Sequence, residues 1–183
     1  MGIVTLLGFP LLAWGISELI SVWFKDYYPN HIIDVFRLNK NFYYLIPIFI
    51  SIGIFFGLIV IWLTELNYFE KSMSKYKNLL DNYELTTFLV IFLSVSAGVG
   101  EEIFFRGVLQ PLIGVWLTSI FFVAIHGYFS LKDKRINIFA IMLTLFIALL
   151  GWASKNYSIW LAISAHFSYD LVLLFYYKKS KTL

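Results

Sequence analysis

Six ionisable residues stand where an apolar chain ordinarily has none. Glu101, Glu102 and Arg106 come straight after the run LTTFLVIFLSVSAGVG and are followed by more apolar residues. His126 closes a second apolar stretch, and His166 and Asp170 lie in the middle of a third. Charged groups within apolar helices are costly, and they face a bundle interior or a wet cavity. Carboxylates and imidazoles gathered there can take a proton from water, stabilise a developing charge or relay protons.

Spacing separates their roles. On a helix Glu102 and Arg106 are i and i+4, so they meet and neutralise each other. Glu101 points about 100° away from Glu102 and has no cation at that spacing, which leaves it as the candidate general base. His166 and Asp170 are also i and i+4, and a carboxylate there can hold the imidazole in one tautomer. Each feature has a plainer reading. A lone buried His is more often an interhelical hydrogen-bonder, and a lone Glu–Arg pair is usually structural. Two Glu, two His, an Arg and an Asp on three apolar elements together point to function. Glu18 lies in the first apolar run, within reach of its end.

The elements that must carry these residues are membrane spans. The chain has 183 residues, of which 60% are hydrophobic, 20% aromatic and 14% charged, against roughly 25% charged and 45–50% apolar in a soluble domain. The fold class expected is all-α, a multi-pass transmembrane bundle of about six spans in one domain, 1–183. The runs are Ile3–Phe24, Phe42–Thr64, Leu85–Leu109, Leu112–Tyr128, Ile136–Ala153 and Tyr157–Tyr177, each set against the roughly 20 apolar residues that a span requires. The catalytic core is expected at about 85–177, preceded by two spans and a polar connector at about 65–84. The first run has no basic n-region and no cleavage pattern, so it reads as a span and not a signal peptide. Pro111 is expected to separate the third run from the fourth. Gly53 and Gly57 form a small-xxx-small pair suited to helix packing.

Aromatic residues near the run ends (Trp23, Tyr27, Tyr43, Tyr44, Trp62, Tyr68, Trp152, Tyr157, Tyr176, Tyr177) suit an interfacial belt. Lys71, Lys75, Lys77, Lys132, Lys134, Arg135, Lys178, Lys179 and Lys181 would fall on one side, and Lys25, Arg37, Lys40 and Lys155 on the other. The excess places both termini in the cytoplasm. The net charge of +3 lies in short clusters that suit lipid headgroups and argue against a nucleic-acid partner. No cysteine is present, which excludes thiolate chemistry and disulfides.

The stretches EEIFFR at 101–106, FVAIH at 122–126 and HFSYD at 166–170 resemble the EExxxR, FxxxH and HxxxN/D motifs of the CPBP family, which includes the type II CAAX prenyl proteases and bacteriocin-processing enzymes. FRGVLQ and GWASKNYSIWLAISAHFSYD read similarly. The resemblance covers roughly Leu85–Tyr177. It implies that Glu101 and His126 activate water, that His166 and Asp170 stabilise an oxyanion, and that Glu102 and Arg106 support the site. Asp170 stands where one branch has Asn. An ionised Asp cannot donate a hydrogen bond to an oxyanion, so Asp170 either orients His166 or carries a proton itself.

Other plans do not match the residues. HExxH and GxGD are absent, and Ser130 and Ser164 lack a nucleophile context. With Glu102 committed to Arg106, no cofactor is expected. If a zinc ion binds, Glu101, His126 and His166 are the candidate ligands. The expected activity is an intramembrane endopeptidase in a bacterial cytoplasmic membrane, acting on a leader peptide or another membrane-anchored precursor. Two alternatives are a non-catalytic bacteriocin immunity or scaffolding protein of the same fold, and a proton or ion pathway.

Overall fold

The computed structural model describes residues 4–23, 42–70 and 84–180, together with Gly2, Ser72 and Ser74. These residues form helices and connecting turns, with no strand among them. A π turn, Val4–Gly8, leads into α1 (Phe9–Trp23), and a 3-10 turn, Tyr43–Leu45, into α2 (Ile46–Glu65). Then come α3 (Thr87–Phe104), a second π turn (Phe105–Leu109), α4 (Gln110–Ile125), α5 (Lys134–Asn156) and α6 (Ile159–Ser180). Caps fix two of the starts. Thr86 accepts from the Leu89 N–H at 3.1 Å, and Asp133 accepts from that of Arg135 at 3.0 Å. Each satisfies a donor that the first helical turn would leave bare.

The all-α bundle is as expected, and it differs in how the third and fourth runs are joined. Among the described residues four helical runs are long and apolar enough to cross a membrane: Tyr43–Glu65, Thr87–Ile125, Lys134–Asn156 and Ile159–Ser180. The first run is helical from Val4 to Trp23, with an apolar stretch over Thr5–Ile20 among the described residues. The expected third and fourth runs are continuous in helix through Pro111, and the chain turns instead at Gly114. The π turn ahead of Pro111 has the Gln110 N–H bonded to the Phe105 carbonyl, and such a widened turn is a usual accommodation of a helical kink. Gly114 has φ 79° and ψ 170°, a region open essentially to glycine alone.

The turn at Gly114 is a reversal. In a straight helix Glu101 and His126 would lie about 37 Å apart, yet their side chains approach to 3.7 Å. Phe105 and Phe122 likewise meet with ring centroids 4.7 Å apart. The two arms therefore run antiparallel.

Around this hairpin α6 is the central helix, packing on α2, α3 and α5. The small-residue pair works as expected. Gly53 lies against the Ala165 backbone and Ser168, and a side chain at Gly57 would meet Val172 at 3.1 Å. Gly98 does the same for α3, where a Cβ would stand 3.1 Å from Phe167. The stacked rings of Phe56 and Phe146, centroids 4.2 Å apart, tie α2 to α5. Phe55, Leu58, Trp62, Phe88 and Ile141 are more than half exposed, an outward apolar surface suited to lipid. At one end Lys178 Nζ donates to the Thr87 hydroxyl at 2.6 Å, and Arg135 donates to the Tyr68 carbonyl at 3.1 Å. Lys25, Tyr27, Arg37, Lys40, Lys71, Lys75, Lys77 and Lys181, and the side chain of Trp23, lie outside the described residues.

Candidate functional site

Arg106 organises the buried side of the site. Its Nε donates to Glu102 Oε2 at 2.7 Å, with both side chains wholly buried. Its other two nitrogens donate to Gln110 Oε1 at 3.2 Å and to the Ile147 carbonyl at 3.1 Å. Gln110 in turn donates to the Gly151 carbonyl at 2.9 Å. One guanidinium thus holds α3 to α5 with its charge matched by Glu102, as a buried ion must be.

Glu102 also reaches α6. His166 Nδ1 lies 2.8 Å from Glu102 Oε1, so an Nδ1–H donates to a carboxylate whose other oxygen holds Arg106. This adds a second carboxylate to the pairing expected within α6, where Asp170 stands within ion-pair distance of the ring. Asp170 Oδ2 is 3.6 Å from His166 Nε2, beyond a hydrogen bond. The group that fixes the imidazole is Glu102, across the interface that Gly98 brings close. Asp170, about one-fifth exposed, flanks the ring's free edge.

The second imidazole is fixed by backbone. His126 Nδ1 lies 2.7 Å from the Phe122 carbonyl. A carbonyl only accepts, so the proton sits on Nδ1, and in the neutral ring Nε2 presents its lone pair. That atom is 3.7 Å from Glu101 Oε2, too far for a direct hydrogen bond and within the span that one water bridges. The Phe122 ring stacks on His126 at 4.5 Å and meets His166 edge-on at 5.8 Å.

Glu101, His126, His166 and Asp170 line one cavity of about 410 Å³. Its remaining wall is mostly apolar, including Val60, Leu93, Phe139, Leu143, Ile147 and Leu173, with Thr64, Tyr128, Tyr169 and Tyr177 among the rest. Glu102 and Arg106 stand behind this wall. The six sequence-selected residues are therefore brought together in two layers, four at the cavity and two supporting them. Sequence reasoning passed over Gln110, although 102, 106 and 110 form one i, i+4, i+8 stripe, and gave Phe122 no role beyond its place in a motif. Among the described residues no three His, Asp or Glu side chains are arranged to enclose a metal ion.

The motifs carrying this geometry fall within residues 83–172, which match the family described as Type II CAAX prenyl endopeptidase Rce1-like. The chain is also 36% identical over 87 residues to "Uncharacterized protein YpbD" of Bacillus subtilis (strain 168). That similarity covers 45% of this chain and 42% of that protein, so the chain spans less than half of the relative's length. No solved structure matches the chain. Over residues 83–172, just under half of its length, this membrane bundle is similar to the Rce1-like family of type II CAAX prenyl endopeptidases.

Proposed function

We propose that the protein is an intramembrane endopeptidase that hydrolyses a peptide bond with water activated by Glu101 and His126. The carrying observation is the convergence of Glu101, His126 and His166, from three helical arms, on one cavity inside an apolar bundle. Glu101 takes a proton from the water as its oxygen attacks the scissile carbonyl carbon. His126 Nε2 accepts the water's second hydrogen bond and aims it. The carbonyl oxygen becomes an oxyanion facing His166 Nε2. With Nδ1–H already given to Glu102, a proton on Nε2 makes that ring an imidazolium, flanked by Glu102 and Asp170. Glu101 then returns its proton to the leaving nitrogen as the C–N bond breaks, giving a carboxylic acid and an amine. Glu102 and Arg106 hold His166 in place. No metal or other cofactor enters this scheme.

The substrate in this reading is a membrane-anchored or precursor peptide, processed at the lysine-rich end of the bundle, which the excess of basic residues assigns to the cytoplasm. The test is cleavage of a membrane-anchored peptide library by the purified protein, with products read by mass spectrometry. General-base removal costs about 10²–10⁴-fold, so Glu101→Gln is expected to abolish cleavage while unfolding at the wild-type temperature. Wild-type protein that binds peptides and cleaves none would favour the immunity or scaffolding alternative. Cleavage that survives Glu101→Gln would overturn the mechanism.

A further inference from the structure

Hydroxyl groups form a path through the otherwise apolar cavity wall. His166, Tyr169, Asp170, Leu173 and Tyr177 recur at i, i+3, i+4, i+7 and i+11, one face of α6, and all five line the cavity. Tyr128, from the turn after α4, lines it as well. Tyr177 and Thr64, near the ends of α6 and α2, line the same cavity. The Tyr169 ring packs against the stacked Phe56 and Phe146 pair, with centroids 5.7 Å and 5.4 Å away. Hydroxyl-bearing residues thus line the cavity from its Thr64–Tyr177 end to its His166 end.

A polypeptide cannot enter an apolar cavity unless its amide groups find partners. A helical segment satisfies its own amides and has no use for such a path, whereas an extended one has every N–H and C=O to place. A phenol offers one donor and two acceptor positions, so it can take a backbone group even while bonded to a neighbour. The eleven residues from His166 to Tyr177 rise about 16 Å, the length of about five extended residues.

We propose that Tyr128, Tyr169 and Tyr177 hold the backbone of an unwound, extended substrate segment as it passes from the Thr64–Tyr177 end to Glu101. They are positioning residues, and the inference rests on the peptidase reading above. Substrate choice then depends on how readily a segment gives up its helix, and less on the side chains it carries.

The test separates binding from cleavage. The Glu101→Gln protein in detergent is titrated with a fluorescent decapeptide of Ala, Leu, Val and Gly, and with the same peptide N-methylated at every internal amide. N-methylation removes the donors that phenol oxygens accept. The unmethylated peptide is expected to bind at least about tenfold tighter, the worth of one or two net hydrogen bonds. The gap should close to under about threefold when Tyr128→Phe, Tyr169→Phe and Tyr177→Phe are combined, since each removes one O–H and keeps its ring. Tyr157→Phe, at the far end of α5, should leave the gap unchanged. In the wild-type background the same three changes should raise KM and leave kcat nearly unmoved. Equal binding of the two peptides, or a gap that persists in the triple variant, would overturn the inference while leaving the Glu101 mechanism intact. Failure of the peptidase reading would show separately, as cleavage indifferent to Glu101→Gln.

Discussion

Glu102→Gln exposes how much depends on one buried carboxylate. Its two oxygens serve different cations or donors, Arg106 Nε at 2.7 Å and His166 Nδ1 at 2.8 Å, and the side chain is wholly buried. A glutamine in the same place has one acceptor oxygen and one NH₂, so one of the two N–H donors must face another donor. Arg106 keeps Gln110 and the Ile147 carbonyl, but both are neutral. Breaking a buried pair this way costs about 3–5 kcal/mol. At about 2–4 °C per kcal/mol for a chain of this size, the unfolding temperature in detergent should fall by about 6–20 °C. Activity per folded molecule should fall too, because His166 loses the group that orients it. Adding Arg106→Met removes the stranded cation and should restore at least part of the lost temperature, without restoring turnover. Thermal unfolding by intrinsic fluorescence, paired with a cleavage assay on the folded fraction, reads both effects. Wild-type unfolding temperature in Glu102→Gln, or turnover that returns together with stability in the double variant, would refute this account of the buried pair.

Gly114→Ala should cost about 1–3 kcal/mol, because φ 79° with ψ 170° is open essentially to glycine; thermal unfolding again measures it. Gly53→Leu should largely prevent accumulation, since its side chain would run into the Ala165 backbone on α6; membrane levels by immunoblot report the result. Chelators are expected to leave cleavage unchanged. Loss on 1,10-phenanthroline treatment with recovery on added zinc would assign Glu101, His126 and His166 to a metal instead.

The site was legible in outline because its residues break the rule of the elements that carry them. Glu101, Glu102, Arg106, His126, His166 and Asp170 are conspicuous in apolar runs, and the i, i+4 rule alone pairs Glu102 with Arg106. For His166 the same rule finds Asp170, an ion-pair partner at 3.6 Å, but not Glu102, the carboxylate hydrogen-bonded to the ring. Which carboxylate wins depends on the rotation and closeness of α3 against α6, set by Gly98 meeting Phe167, and no one-dimensional spacing encodes that. The hairpin was misplaced for a similar reason. Proline looks like the breaker because it lacks an N–H, but a π turn just before it absorbs the defect. The reversal falls three residues later, at a glycine that resembles any other glycine in the sequence. Gln110 was readable as the third member of an existing stripe and passed unnoticed because it is uncharged.

The hairpin folded at Gly114 also sets what changes of length the chain can tolerate. Glu101 lies thirteen residues before the turn and His126 twelve after it, so the two meet because the arms are matched in length. One residue inserted in either arm would slide its side chain about 1.5 Å along the axis and swing it about 100° around it, away from the cavity. Two would carry it to about the opposite face. A four-residue change brings back the direction but leaves a displacement of about one turn, 5 Å or more. The 24 residues between these two positions therefore act as a gauge block that sets the spacing of Glu101 and His126. Natural or engineered length variation should be found in the connectors outside it, and shuffled chimeras should exchange the hairpin whole.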